Sequence, residues 1–392
     1  MGSIYRCDGF EEVFRERGQV CRVCLMDESD RELTFDASGR CHACIEAEAS
    51  MPGWMATDAA LSPSFERTVE AIKARRGRGE FDTLLGLSGG VDSSYALVCA
   101  AEAGLKVLAM HCDTGWNSRE SVENIQRLCS RFGFPLETLV VDWTAMRAAQ
   151  RAFFRSGVIN CDIPQDHAIA ASVNRLADRF GVRTFLSGGN WSGESILPDS
   201  WGHDALDIVH LRDIIRRNNE AKDGLRIPKL GTFRRRIWNP YVRRMQTWRI
   251  LNDIRYDPIA ARKRLEAEFG WSNYGGKHCE SIFTKIYQMV YCPIRFGFDK
   301  RRAHLSSLVI SGHMSREEGR AILATPPITR ADAERDAEYL CNKLGFSADE
   351  WISMISGPEV PHSHYRQDLL DRLIVRLVKR HIEPHVRLRR IW

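Results

Sequence analysis

The chain has 392 residues, of which 44% are hydrophobic and 27% are charged, and its formal net charge is +5. This composition is typical of a globular protein and excludes global disorder and fibrous repeats. No segment approaches the roughly 18 consecutive apolar residues that a membrane-spanning helix needs. The first residues contain acids and lack the apolar stretch of a secretion signal. We therefore expect a cytoplasmic protein of two or three domains without a membrane segment.

Positive charge is concentrated in one segment. Between Arg212 and Arg249 there are twelve Lys and Arg residues and three acidic residues. Such a segment is either a set of solvated helix faces or a surface for an anionic ligand or an acidic partner. A net charge of +5 over the whole chain does not by itself indicate nucleic acid, and we do not expect a nucleic-acid partner.

Four of the twelve cysteines have the spacing of a metal site. Cys21 and Cys24 form one Cys-x-x-Cys turn, and Cys41 and Cys44 form a second turn after sixteen intervening residues. Each turn directs two thiolates at one ion, so two turns complete the tetrahedral shell that Zn²⁺ prefers. Four protein ligands leave no open coordination position, and the predicted Zn²⁺ is therefore structural. His42, inside the second turn, is an alternative ligand.

From residue 81 the sequence alternates between strand and helix patterns. Strands are predicted at 81–87, 106–111, 136–141 and 182–186, and helices at 64–74, 92–103, 118–132, 144–155 and 165–180. This alternation predicts an α/β fold with a parallel sheet covered on both faces, and ligands in such folds bind beyond the carboxyl ends of the strands. The chain is predicted to be mostly helical after residue 212. The expected organisation is a zinc-ribbon-like segment at 1–60, an α/β domain at 61–211 and a helical region at 212–392 that binds substrate or a partner.

The turn after the first predicted strand has the character of an anion site. Its glycines allow backbone N–H groups to approach an anion, its serines add hydroxyl donors, and the following helix adds its positive N-terminal end. The turn lacks the lysine of a Walker A loop. The residues expected to bind the anion are Ser88, Gly89, Gly90, Asp92, Ser93 and Ser94.

This turn resembles the PP-loop of the N-type ATP pyrophosphatases. The resemblance implies an adenine nucleotide alpha hydrolase-like fold, with ATP and Mg²⁺ bound at the loop. In that family the loop holds the pyrophosphate part of ATP while a substrate oxygen attacks the α-phosphorus. The resemblance also implies ATP contacts for Gly188, Gly189 and Asn190 after the fourth strand, and for Asp113 after the second strand, on ribose or adenine.

Motifs across almost the whole chain resemble those of the N-acetyl sugar amidotransferases of bacterial surface-polysaccharide pathways. Beside the four cysteines, these motifs are residues 160–167, 187–198, 274–280 and 299–306. The resemblance implies a role in O-antigen or lipopolysaccharide biosynthesis on a nucleotide-linked N-acetyl sugar. The acetamido oxygen would be adenylated with release of pyrophosphate, and ammonia would then displace AMP to give an acetamidino sugar.

The same resemblance implies roles for particular side chains. We expect Asp92, Glu194, Lys300 and His304 to be catalytic, with Glu194 handling substrate, Mg²⁺ or ammonia. The residues expected to bind substrate are Gln165, His167, Lys277, His278, Arg301 and Arg302.

The sequence shows no glutaminase of its own. The chain starts Met-Gly-Ser, and no cysteine has the Gly-x-Cys-x-Gly flanks of a glutaminase nucleophile. We therefore expect ammonia to be taken free or from a separate glutaminase subunit. The resemblance implies a triad-type glutaminase, with or without a cyclase-like barrel subunit.

Two other functions are consistent with parts of the pattern. A tRNA-thiolating PP-loop enzyme would also combine zinc turns with basic residues, but it needs a persulfide-carrying cysteine near the ATP site. Cys161 is the one candidate expected near the strand ends, and it has no partner cysteine nearby. A non-enzymatic zinc-ribbon scaffold is disfavoured because the anion-binding turn is intact.

Overall fold

The predicted α/β fold is confirmed by a computed structural model, which describes residues 5–76, 79–273, 279–371 and 373–375. Its central feature is a five-stranded sheet in the order β3-β2-β1-β4-β5. All four neighbouring pairs of strands are parallel. The strands are β1 Thr83–Gly86, β2 Val107–Asp113, β3 Leu136–Val140, β4 Thr184–Leu186 and β5 Gln246–Trp248.

The last strand was not predicted. β5 lies in the region expected to be helical, and it pairs with β4 along Thr184–Leu186. It has only three residues, which is too short for an alternating pattern to be visible in the sequence. The chain therefore returns to the sheet after residue 212, and part of the helical region is built around the sheet.

The helices within the α/β part agree closely with the predicted ranges. α4 begins after Ser118, whose side chain accepts a hydrogen bond from the Ser121 amide, and ends at Gly133 with φ of 66°. The helices up to β5 are α1 His42–Ala49, α2 Phe65–Arg75, α3 Val91–Glu102, α4 Arg119–Phe132, α5 Trp143–Ser156, α6 Ile163–Phe180, α7 Trp191–Glu194, α8 Ile208–Arg217 and α9 Ala221–Gly224.

The remaining described chain is helical, as predicted. Two π-helical segments, Arg234–Val242 and Tyr287–Tyr291, interrupt the regular pattern. The α-helices are α10 Pro258–Phe269, α11 Ile282–Ile286, α12 Cys292–Phe296, α13 Arg301–Ile310, α14 Arg316–Leu323, α15 Arg330–Leu344 and α16 Ala348–Ser356. Within the described ranges, no helix combines the length and the apolar character needed to cross a membrane.

The sheet is buried on both faces because successive side chains of a strand point to opposite sides. Leu85 packs with Leu97 of α3 and Leu265 of α10 on one face. Leu84 packs with Leu176 of α6 on the other face. This two-sided burial explains why β1 has adjacent leucines, Leu84 and Leu85, where a half-exposed strand would alternate apolar with polar residues.

A larger hydrophobic core lies beside the sheet and joins distant parts of the chain. It contains the four predicted zinc ligands, Phe153 of α5, and residues of the C-terminal helices such as Phe283, Leu340 and Trp351. The cysteine segment is therefore packed into the body of the protein.

The four cysteines that were predicted to bind a metal form one cluster. Their sulfur atoms lie within 4.8 Å of one another and all four residues are buried. The Sγ atoms of Cys21 and Cys44 are 3.7 Å apart, as are those of Cys24 and Cys41. A tetrahedron with Zn–S bonds of about 2.3 Å has sulfur–sulfur edges of about 3.8 Å, so the cluster fits Zn²⁺.

Backbone amides and a neighbouring helix support this cluster. The amides of Cys24 and Cys41 both donate to the Cys21 sulfur, at 3.4 Å and 3.3 Å. Arg316 of α14 donates to the carbonyl oxygens of Cys21 and Cys24. The alternative ligand His42 is directed elsewhere, because its Nδ1 accepts from the Thr34 amide at 3.1 Å. Zinc itself stays a prediction.

We expect purified protein to contain about one zinc ion per chain. The double substitution Cys41→Ser and Cys44→Ser should remove the metal and lower the free energy of unfolding by several kcal/mol, since metal binding at such sites is coupled to folding. Elemental analysis and thermal melting measure the two effects. Cys129→Ser, which changes a buried cysteine outside the cluster, is the control and should keep the zinc. The prediction would be contradicted by a wild-type chain that is purified without metal, or by a double variant whose melting curve matches that of the wild type.

Candidate functional site

Two glycine-rich loops meet at the carboxyl edge of the sheet. The first loop, residues 87–90, joins β1 to α3, and the second, residues 187–190, joins β4 to α7. β1 and β4 are neighbours, and the strands that follow them in the chain, β2 and β5, lie toward opposite edges of the sheet. This is the topological switch point at which open α/β sheets bind ligands.

The second loop touches the first turn of α3 through Gly188. A Cβ atom on Gly188 would lie 2.9 Å from the backbone carbon of Asp92 and 2.9 Å from the backbone nitrogen of Ser93. Real Cβ atoms do not approach backbone this closely, so only glycine allows the second loop to pack against the first turn of α3. The side-by-side placement that the sequence predicted is present in the structure.

The first loop has a fixed backbone. Gly89 has φ of 84°, and a Cβ there would lie 2.4 Å from the Ser121 carbonyl oxygen. The Gly89 carbonyl accepts a 3.0 Å hydrogen bond from the Trp271 indole nitrogen. The Ser88 hydroxyl accepts from the Gly90 amide and lies 3.2 Å from the Ser93 hydroxyl. The loop is thus held open over the N-terminus of α3, a twelve-residue helix.

Two cavities flank this loop. The helix-side cavity, of about 420 Å³, lies between α3, α7, α10 and α13. The strand-end cavity, of about 400 Å³, lies beyond the ends of β1, β2 and β4. Both are lined by Ser88, Ser93, Gly188 and Glu280, so the PP-loop lies at their junction.

The helix-side cavity contains three of the predicted catalytic residues, Asp92, Glu194 and His304. Asp92 accepts a hydrogen bond from the Tyr256 hydroxyl. Burial, then the charges of Asp92 and Glu194, raise the pKa of Tyr256 well above its usual value, so the tyrosine stays protonated and donates. His304 lies with its Nδ1 3.4 Å from the Gly193 carbonyl oxygen.

Asn190 positions Glu194 from below. Its side-chain oxygen accepts from the Gly193 amide at 2.7 Å, and its side-chain nitrogen donates to the Gly188 carbonyl at 3.2 Å. Asn190 is 3% exposed. Asn190 thus caps α7 and ties it to the second loop, and its contact with ATP stays a prediction.

The strand-end cavity is lined by polar side chains from α6 and β2. Gln165, a predicted substrate residue, accepts from the Thr114 hydroxyl at 2.7 Å and donates to Asp162 at 3.2 Å. Asp166 lies one helical turn after Asp162 in the same wall. Burial and the charge of Asp162 raise the pKa of Asp166 to about 8, while Lys300 opposes the shift.

Some predicted ligands of ATP face protein. Ser94 is 1% exposed in α3. The Asp113 carboxylate accepts from the Gly115 amide at 2.8 Å and the Asn117 side chain at 2.9 Å, so it shapes the turn after β2. The Gly189 amide donates to the Ser187 hydroxyl. Ser94 and Asp113 therefore support the loops in this structure, and their contact with ATP stays a prediction.

Three predicted substrate residues are engaged elsewhere. His167 is fully buried, and burial lowers its pKa to about 4, so it is a neutral core residue. Arg302 is buried against Asp27, with a nitrogen–oxygen distance of 3.2 Å. Arg301 pairs with Asp299 at 2.7 Å and donates to the Thr325 carbonyl. None of the three lines either cavity, because His167 is packed in the core and the two arginines are used in ion pairs; the expected substrate contact has no support from the structure.

The other predicted residues have different outcomes. Lys300 lies with its ammonium nitrogen 5.5 Å from the centre of the Tyr287 ring. Burial raises the pKa of Asp162, and the charge of Lys300 opposes that rise. Lys277 and His278 lie outside the described residues.

Four residues that line the strand-end cavity were not predicted, namely His111, Thr114, Asp162 and Asp166, although three positions of one motif carried the signal. Asp162, Gln165 and Asp166 are spaced i, i+3 and i+4, which places them on one face of a helix, and His167 falls on another face. Choosing residues by helical face would have selected the aspartates. His111 precedes the end of β2, where a ligand-facing side chain is expected.

Comparison with known proteins shows that two parts of the chain are similar to known families. Residues 280–379 match the family described as LPS biosynthesis protein WbpG-like, C-terminal domain. Residues 82–173, which contain the PP-loop, match the family described as Queuosine biosynthesis protein QueC. No curated protein matches the chain.

Two solved structures are similar in part. The NMN synthetase from Francisella tularensis is 16% identical with a TM-score of 0.26, over 33% of this chain and 55% of that one. The chain thus spans little more than half of that protein. The NH₃-dependent NAD synthetase from Campylobacter jejuni is 16% identical with a TM-score of 0.26, over 41% of this chain and 75% of that one. The chain is therefore similar to two families in two separate parts, and each match covers about a quarter of its length: QueC over the region of the first loop, and the WbpG-like C-terminal domain over residues 280–379.

Proposed function

We propose that this protein is an AMP-forming amidotransferase of surface-polysaccharide biosynthesis. It adenylates the acetamido oxygen of a nucleotide-linked N-acetyl sugar, releases pyrophosphate, and replaces the oxygen with ammonia to give an acetamidino sugar. The observation that carries the proposal is the position of the PP-loop at the junction of two cavities. A reaction between ATP, an acceptor oxygen and an amine needs such a junction, since three reactants must meet at one phosphorus and one carbon.

The chain's own groups fit the first half of this reaction. The backbone at Gly89 and the start of α3 are suited to the pyrophosphate oxygens, because both present positive partial charge to an anion. Gly89 allows this approach without strain. Ser93 and Gly188 line both cavities, so the α-phosphorus is proposed to lie between them. The acceptor oxygen would then attack from the strand-end cavity.

Mg²⁺ is proposed to bind beside Asp92 and Glu194. Both carboxylates line the helix-side cavity, and both act on the pKa of the same tyrosine, Tyr256. Mg²⁺ usually takes one or two carboxylates together with phosphate oxygens and water, which matches this pair. When bound, the ion would neutralise charge on the departing pyrophosphate. Tyr256 and Asn190 keep the two carboxylates in place.

The WbpG-like domain supports the sugar assignment and also forms the active-site wall. Its matched range includes Glu280, which lines both cavities, and His304, which lines the helix-side cavity. The nucleotide-sugar substrate is therefore proposed to enter between this domain and the sheet.

The thiolation alternative lacks an activated thiol. Cys161 is fully buried. Cys112 lines the strand-end cavity, but burial raises the pKa of its thiol, which also lies 3.5 Å from the Ser172 hydroxyl. A persulfide carrier needs a lowered pKa and access to solvent, so the amidotransferase is the better-supported function.

Ion pairs within the fold limit how much of the positive charge of residues 212–249 is available to a partner. Arg226, Arg235 and Arg236 pair with Asp142, Asp204 and Asp371 at 3.0, 2.8 and 2.7 Å. Much of the positive charge is therefore neutralised within the fold. A separate glutaminase subunit stays part of the proposal, on the ground that no glutaminase motif is present in the sequence.

We predict that turnover converts ATP to AMP and pyrophosphate and that Gly188→Ala lowers this rate by about 100-fold. The added methyl group would push the second loop away from Asp92 and Ser93, and a displacement of about 1 Å at a reacting centre costs a factor of that order. Chromatography of the nucleotides measures the rate and the products. The control is Gly202→Ala, where a Cβ has nothing within 4 Å. Accumulation of ADP, or a fully active Gly188→Ala variant, would refute the prediction.

We also predict that the purified chain uses ammonium salts but not glutamine as its nitrogen donor. The reason is the missing glutaminase nucleophile, and a separate glutaminase should make glutamine usable. The measurement is amidinated sugar by mass spectrometry with each donor, with and without a purified glutaminase of the triad class. Efficient amidination from glutamine by the single chain would be the contrary result.

A further inference from the structure

The wall of the strand-end cavity formed by α6 presents two carboxylates in unequal states. Gln165 fixes Asp162, because Thr114 donates to the Gln165 oxygen and thereby turns its amide nitrogen toward Asp162 at 3.2 Å. Asp166 also lines the cavity, and within the described part of the chain its carboxylate makes no hydrogen bond. Asp166 therefore faces the cavity, and the proposed function as described so far gives it no role.

A second, independent group in the same cavity also waits for a donor. His111 is 6% exposed, and its Nδ1 lies 2.8 Å from the Leu87 carbonyl oxygen. Nδ1 therefore carries the proton and Nε2 is an acceptor. Among the described residues this buried Nε2 has no partner, and a buried acceptor without a donor is costly. The acceptors of this cavity are therefore complementary to a ligand with several N–H groups.

We propose that Asp166 is the residue that binds ammonium and takes a proton from it. This inference rests on the proposed function and names the residue that supplies the nucleophile. Ammonium fits because it is a small cation with four N–H donors, whereas the cavity wall offers the acceptors Asp162, Asp166 and His111. Ser93 and Gly188 line both cavities, so ammonia released at Asp166 would reach an adenylated carbon held at this border.

The step balances as follows. Asp166 takes one proton from NH₄⁺, and the nitrogen lone pair of NH₃ forms a bond to the adenylated acetamido carbon. The tetrahedral adduct loses a second proton to water. The carbon–oxygen bond then breaks, and AMP leaves with its electron pair and the former acetamido oxygen. The product is an amidinium ion, and no oxidant or reductant is involved.

The acid–base properties of Asp166 suit this task. Its pKa is raised to about 8 by burial and by the charge of Asp162, and a general base works best when its pKa lies near the working pH. The other ionisable groups around it are Lys300, His111 and Glu280. Because the ionised fraction of a carboxylate grows as the pH rises through its pKa, the ammonium-dependent rate should rise toward pH 8.

The test separates the two half-reactions in the full-length protein. The first is exchange of labelled pyrophosphate into ATP, which depends on the sugar and needs no amine, assayed with a panel of nucleotide-linked N-acetyl sugars. The second is amidine formation, assayed with ammonium chloride or with hydroxylamine, which is neutral at pH 7 and needs no initial deprotonation. For Asp166→Asn we expect exchange near the wild-type rate and ammonium-dependent amidination lower by about 100-fold. Hydroxylamine should restore turnover.

Two controls accompany the variant. Asp58→Asn, a substitution of the same kind at an exposed position, should change neither half-reaction. Circular dichroism and thermal melting of Asp166→Asn should match those of the wild type. Asp162→Asn gives a second test, since it should weaken ammonium use and lower the pH at which the rate levels off.

Several results would overturn the assignment. Equal loss of exchange and amidination in Asp166→Asn would show a structural or nucleotide-binding role, as would a raised KM for ATP with an unchanged KM for ammonium. Full ammonium use by Asp166→Asn would exclude it as the base. If the wild-type protein shows no sugar-dependent exchange at all, the proposed function itself fails, and this inference fails with it.

Discussion

The site depends on one constraint, the close approach of the second loop to the backbone at the start of α3. Gly188 packs against the backbone of Asp92 and Ser93 at distances that a side chain would not permit. This contact places the second loop against the start of α3 and brings Glu194 into the same cavity as Asp92. The parallel pairing of β1 with β4 supplies the frame, since it puts both loops at the same edge of the sheet. A ligand that spans the loops would find amides, hydroxyls and carboxylates within one short region.

The N-terminal and C-terminal parts of the chain complete this site from outside the sheet. α13 carries His304 to the helix-side cavity, and the cysteine segment holds α13 from behind. The Leu25 amide donates to the Ser306 hydroxyl at 3.0 Å, and Arg302 forms its buried ion pair with Asp27. Removing one partner of a buried ion pair typically costs about 3–5 kcal/mol. The cysteine cluster is therefore linked to the helix-side cavity through packing, although the cysteines lie far from the first loop in sequence.

The sequence predicted what short-range patterns determine. The four strands from β1 to β4, their helices and the cysteine cluster follow from apolar runs, glycine caps and Cys-x-x-Cys spacing. β5 was missed because three residues carry no periodicity and its place depends on pairing with β4. Arg301, Arg302 and His167 were assigned to substrate from the family resemblance, but the structure uses the two arginines in ion pairs and packs His167 in the core. Which polar group faces a cavity depends on tertiary contacts. Asp162 and Asp166 were the exception, since their helical spacing could have been applied.

The central claim is that the acetamido oxygen of the sugar is transferred to AMP as the nitrogen enters. It is tested most directly by turnover of a nucleotide-linked N-acetyl sugar whose acetamido oxygen is heavy oxygen, with ammonium and ATP. Mass spectrometry of both products follows the label. The account predicts that the label appears in the phosphate of AMP and that the sugar is an amidine without label. Label that stays in the sugar or appears in water, or a sugar product that contains sulfur, would contradict it.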